Sequence, residues 1–200
     1  MPKLVDHEKR KKQIAEATWR VILDRGMEGA TVRNIAKEAG LSLGALRHYF
    51  STQEELLIYA MDLVKNQAEQ RIYRVIDRKL PPKEMALNML LELLPTTEET
   101  RAEMEVWFSF VAYARHKRAG VHPYEDGLFD GITRMVHSLN KAGYLRDGID
   151  LDAEAERLYA LIDGLALHAL LAPDRLNQTR LSEIVGNHLD SIWQETPQKD

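Results

Sequence analysis

An all-α fold of about nine helices is predicted from three observations in the 200-residue sequence. Apolar residues recur at helical spacing along most of its length, without the sustained alternation that a half-buried strand requires. Glycine, proline and hydroxyl side chains stand where those periodic stretches begin and end. Cysteine is absent, so neither a disulfide framework nor a thiolate metal site organises the chain.

The elements follow in order. Ile14, Ala17, Thr18, Val21 and Ile22 form a stripe that stops at Gly26, a plausible C-cap residue. Thr31 has the chemistry of an N-cap for a second helix, in which Val32, Ile35, Ala36 and Ala39 repeat before Gly40 ends it. Ser42 caps a third, with Leu43, Leu46 and Phe50 on one face. These three span roughly 18, 8 and 8 residues. Thr52 caps a fourth, apolar at Leu56, Leu57, Tyr59, Ala60, Leu63 and Val64 and running as far as Leu80, where Pro81 and Pro82 break it. Helical stretches then occupy 83–94, 97–118, 123–142, 152–171 and 178–193, separated by Pro95, Gly120, "AGYLRDG" and "APDRLNQ". The expected organisation is a three-helix unit at 1–52 followed by a helical body at 53–195.

Charge is unevenly placed. Residues 1–50 hold ten Lys and Arg against six acids, and the remaining 150 hold 17 against 25. A basic first quarter on an acidic body suits an end that meets an anionic partner, although so small a bias also arises by chance. No apolar run approaches the roughly 18 residues of a membrane helix, and the start lacks the apolar core of a secretory signal, so a cytoplasmic location and no membrane partner are expected. Enzyme motifs are missing too. No two glycines stand two apart, and there is no phosphate-binding G-x-x-x-x-G-K-[ST] and no G-x-S-x-G. The seven histidines form no pair at helical spacing, so neither a metal nor a cofactor is expected.

The stretch "GLSLGALRHYF" at 40–50 carries the functional signal. Two short helices joined by a tight glycine turn make a helix-turn-helix, whose second helix enters the DNA major groove. At about 100° per residue, Gly44, Ala45 and His48 point away from the apolar face, with Arg47 and Tyr49 flanking them. Small side chains let a backbone approach closely, Arg47 can reach a guanine edge or a phosphate, and His48 and Tyr49 can donate to phosphate. Thr31 and Ser42 stand at helix N-termini, where backbone N–H groups favour phosphate. Two short core helices would account for the periodicity alone. The rival reading is a helical small-molecule-binding protein or enzyme without DNA function.

The stretch "ATVRNIAKEAGLSLGALRHYFSTQEELL" (30–57) resembles the DNA-binding signature of the TetR family of transcriptional regulators, and "GALRHYF" most resembles the branch typified by the betaine-responsive regulator. The resemblance continues over "TRAEMEVWFSFVAYA" (100–114) and "LDAEAERLYALIDGLALHALLAPDRL" (151–176). It implies a cytoplasmic homodimeric repressor on a near-palindromic double-stranded DNA operator, released when a small-molecule inducer enters the body. Carried over by position, Thr31, Arg33, Ser42, Leu43, Gly44, Ala45, Arg47, His48 and Tyr49 would face DNA. Two positions depart from the pattern: many relatives have tyrosine where Arg47 stands, and lysine where Gln53 stands. Gln53 can hydrogen-bond a phosphate but brings no charge.

In the body, Met104, Trp107, Phe108 and Val111 form one stripe of a helix and Val106, Phe110 and Tyr113 another. Such a helix is central and buried. Its aromatic residues are plain core or line a cavity, and the resemblance, which places the inducer among the middle helices, makes Trp107, Phe108, Phe129, His137 and Tyr159 the pocket candidates. An aromatic lining suits a cationic ammonium and a flat apolar ligand equally. The last two helices carry stripes that cover the core or form a second contact surface. The family's pairing of these helices across a two-fold axis implies an interface of Leu158, Ile162, Leu165, Ala169, Leu181, Val185, Leu189 and Ile192.

Overall fold

The computed structural model describes residues 2–117 and 127–194. Among the described residues there are nine helices: α1 Pro2–Gly29, α2 Val32–Glu38, α3 Leu43–Tyr49, α4 Gln53–Asp77, α5 Pro82–Leu91, α6 Glu98–Lys117, α7 Leu128–Lys141, α8 Leu151–Leu171 and α9 Gln178–Ile192. The expected separator Gly120 and helix start at 123 lie outside the described residues, as does the domain end at 195.

The helix ends obey the local chemistry. Gly26 adopts φ 67°, a left-handed conformation open to glycine, and interrupts α1 without ending it, since one more helical turn runs to Gly29. Thr31 Oγ1 accepts the Asn34 N–H at 3.2 Å and Ser42 Oγ the Ala45 N–H at 3.1 Å, so both expected caps are made. Between them Gly40, at φ 66°, lets the Leu41 N–H reach back to Ala36 O at 2.8 Å, closing α2 in the manner of a Schellman cap. At the start of α4, Thr52 Oγ1 accepts the Glu55 N–H, and the Glu55 carboxylate accepts the N–H of Ser51, the residue before the cap. That helix ends three residues before the expected Leu80, and Lys79 at φ 52° turns the chain toward Pro82, the first residue of α5.

The chain forms two compact units, Met1–Gln67 with Glu105–Pro123, and Ala68–Met104 with Tyr124–Asp200. The first is built around Ile14, Ile22, Ile35, Leu46, Phe50, Leu56, Val106 and Phe110. Trp19 Nε1–H donates to Ala60 O at 2.9 Å, tying α1 to α4. In the second unit α8 packs on α7 and α9 on α5.

The residues expected at the interface are buried within the single chain. Leu158, Ile162, Leu165, Ala169, Leu181, Val185, Leu189 and Ile192 are only 0–8% exposed in the single chain. Each is covered by its own chain, and burying the leucine, isoleucine and valine side chains among them stabilises the fold by about 1.5–3 kcal/mol apiece. The apolar surface that α8 leaves open is Leu167 and Leu171, four residues apart and on the same side of the helix.

The second unit also buries charge. Arg71 on α4 grips the Glu103 carboxylate on α6 with two hydrogen bonds, 3.0 Å from Nη1 and 2.7 Å from Nη2. Its Nε lies 3.2 Å from Glu92 Oε2. Burial pushes the Glu103 carboxyl above its usual range even though the Arg71 guanidinium pulls it down. On α8, buried Glu154 meets Arg157 and approaches His188 Nε2 at 2.8 Å.

Candidate nucleic-acid interface

The two short helices expose the predicted surface and bury its opposite. Leu46 and Phe50 are sealed in the first core, and the Phe50 ring meets Tyr59 edge-on at 5.3 Å. Leu43, expected beside them, is instead 38% exposed, because the first turn of α3 projects beyond the core. On the outer side Gly44, Arg47 and His48 are exposed and Ala45 and Tyr49 are half-buried. A methyl at Gly44 would meet nothing of this chain closer than Ser42 Oγ at 4.0 Å. The fold therefore does not need glycine there, and its smallness bears on whatever approaches from outside.

Thr31 and Arg33 of α2 are exposed on the same unit, as is Ser42. Gln53 differs from expectation: its amide N–H donates to Ala30 O at 2.8 Å, bracing the entry to α2 from the start of α4. Behind α2, Arg20 pairs with Glu38 at 2.7 Å and Asn34 donates to Gly29 O at 2.9 Å. These contacts tie α2 to α1 and to the start of α4, and none of them uses the outer edge of α3.

Sequence periodicity missed what lies beside that edge. The His7 ring of α1 sits 4.9 Å from the Tyr49 ring and 6.5 Å from His48, while Lys11 Nζ stands 5.5 Å over both Phe50 and Tyr59. The Tyr59 hydroxyl is raised above its usual pKa, first by burial and then by the Glu8 carboxylate. The basic start of α1 was the only hint of this contact in the sequence.

The pocket candidates separate. Trp107 lies within the first unit, 6.4 Å from the Phe110 ring and beneath Lys65 Nζ at 5.8 Å, and Phe108 beside it on α6 is half-buried. Phe129 and Tyr159 join α7 to α8 in the second unit, edge to face at 5.6 Å. His137 is exposed on α7, and its Nε2 lies 3.2 Å from Asp152 Oδ1. Among the described residues no cluster of His, Asp and Glu could hold a metal ion, and no helix is long and apolar enough to cross a membrane.

Comparison with known proteins matches both parts. Residues 14–60 match the model of bacterial regulatory proteins of the tetR family, and residues 82–194 that of the C-terminal region of BetI-type transcriptional repressors. The HTH-type transcriptional regulator PksA of Bacillus subtilis is 59% identical over 195 residues, covering 98% of this chain and 95% of that protein. The transcriptional regulator BetI of Escherichia coli is 29% identical over 191 residues, covering 92% and 94%. Among solved structures, a Rhodococcus transcriptional regulator aligns with a TM-score of 0.75 at 26% identity, over 91% of this chain and 95% of that one. A Saccharomonospora viridis regulator in complex with choline aligns at 0.79 and 23% identity, over 94% and 100%.

Proposed function

The chain belongs to the TetR family of DNA-binding transcriptional regulators, and from that membership we propose how its parts act. α3 lies in the major groove of a double-stranded operator, with Gly44 and Ala45 against the DNA, Arg47 on a base edge and His48 and Tyr49 on phosphates. Thr31, Arg33, Ser42 and Leu43 complete the contact. The observation that carries this is the polarity of α3: Leu46 and Phe50 are sealed inside while Gly44, Arg47 and His48 stand outside. Arg47→Ala is expected to cost about 1–3 kcal/mol of operator affinity and to relax the base preference at one position. Gel shifts on the duplex upstream of its own gene and on a scrambled duplex check this. An equal loss on both would make Arg47 a phosphate contact instead.

The regulator works as a two-fold dimer in the cytoplasm, on a near-palindromic operator with half-sites about one helical turn apart. Exposed Leu167 and Leu171 on α8 support a partner copy at that edge.

A small molecule binding the body releases the DNA, and the protein represses until it does so. The choline held by the Saccharomonospora viridis relative makes a quaternary ammonium the first probe, one that an aromatic face such as that of Trp107 attracts. A ligand shifts the protein only through its different affinity for the two states, and a coupling of about 1–3 kcal/mol changes operator affinity roughly 5–150-fold. Trp107→Ala is expected to blunt release of the operator by choline while leaving operator binding of the free protein nearly intact. Loss of binding without ligand would make Trp107 a core residue only.

A further inference from the structure

The outer edge of α3 does not end with α3. His7, from the second turn of α1, lays its ring against Tyr49 at 4.9 Å with a tilt of 35°, and stands edge-on to His48 at 6.5 Å. His48 and Tyr49 are themselves edge to face at 5.7 Å, so three rings from two helices form one cluster. One turn further along α1, Lys11 Nζ sits over Phe50 and Tyr59. That contact anchors the start of α1 to the end of the recognition helix. The His7 Nδ1 faces Glu8 at 3.7 Å, which leaves Nε2 as the nitrogen for an outside partner.

We propose that His7 extends the DNA-binding edge, its protonated imidazole donating from Nε2 to a backbone phosphate that the His48 and Tyr49 side chains also border. The inference rests on the reading of α3 given above. Its chemistry is that of a cation that exists only when the ring is protonated. A phosphate beside an imidazole favours the charged form, so the complex takes up a proton that the free protein gives up as pH rises. The groups around the ring do not decide the matter alone. Glu8 on α1 faces the ring at 3.7 Å, and His48 and Tyr49 on α3 border it, with Lys11 one turn further along α1. Affinity for DNA is then expected to rise as pH falls from about 8 to 6.

The test is fluorescence anisotropy with the duplex upstream of the chain's own gene and a scrambled duplex of equal length, at both pH values and over a salt series. The variants are His7→Phe, which keeps a ring to pack on Tyr49, His7→Ala and His48→Ala. His7→Phe should melt like the parent and bind like it at pH 8. At pH 6 it should bind about two- to fivefold more weakly than the parent, as for the loss of one exposed ion pair. The loss should be the same on both duplexes, with the salt slope at pH 6 smaller by about one. A His7→Phe protein with the parental pH gain and salt slope overturns the proposal. So does a His7→Ala protein equally weakened at both pH values with an unchanged slope, since the ring then only packs. His48→Ala separates the failures: if it weakens binding and the His7 variants do not, the edge stops at α3, whereas no effect of His48→Ala removes the α3 reading as well.

Discussion

Arg71→Met is expected to lower the stability of the folded chain by about 3–5 kcal/mol, the usual result of removing one partner of a buried ion pair. The Glu103 carboxylate is 1% exposed and both its oxygens are held by the Arg71 guanidinium. Without Arg71 a charge is left in the second core with nothing opposite it. A loss of that size is a large part of the 5–15 kcal/mol that typically separates folded from unfolded chains. The effect has a pH signature. Burial holds the Glu103 carboxyl above its usual range against the pull of Arg71, so the folded state keeps this proton more tightly than the unfolded one does. Stability from Glu103 is therefore fully present below the ordinary carboxylate range and is lost as pH rises through the raised value. Deleting Arg71 removes the groups that lower it and raises it further. The deficit of the variant should be widest near neutral pH and shrink as the solution is made acid. Urea unfolding at about pH 5 and 7.5 measures this. A second variant, Arg71→Met with Glu103→Leu, should recover most of the loss, because a pair of apolar residues has no charge to bury. A deficit that is independent of pH would show that lost packing of the arginine, not the stranded carboxylate, is responsible.

On the proposed two-fold dimer, Leu171→Glu is expected to yield a monomer and to weaken operator binding by roughly 10²–10⁴-fold. Linking two binding units raises avidity by about that factor, and separating them loses it. Leu171 is 72% exposed at the end of α8, so in the single chain a glutamate there meets water and costs little. In a two-fold interface the same change enters twice, placing two carboxylates against an apolar surface. Light scattering should report about half the parental mass, with helix content unchanged by circular dichroism. A variant of parental mass would exclude this edge of α8 from the interface.

The contrast with Leu165, an equally apolar residue of α8, shows where periodicity stops informing. Spacing marks Leu165 as part of an apolar stripe without saying what covers it. Only packing shows that Leu165 is covered by its own chain and that Leu171 is not. An apolar stripe records that a surface leaves water; it carries no record of which partner takes it, because the hydrophobic effect has no direction. His137 and Gln53 make the same point for polar groups. Their neighbours, Asp152 and Ala30, are 15 and 23 residues away along the chain, beyond anything a helical wheel can relate.

What was legible in residues 30–57 was local. Thr31, Gly40, Ser42 and Thr52 end and begin helices through bonds to groups three to five residues away, so the alternation of cap, stripe and glycine already specified α2, the turn and α3. The face of α3 followed as well, since a helix of known ends has only one geometry. Contacts closed over long stretches of chain had to wait for the fold: Trp19 with Ala60, Arg71 with Glu103, and His7 with Tyr49. Each depends on how whole helices come together, and many residues set that jointly, so no short window of sequence holds it.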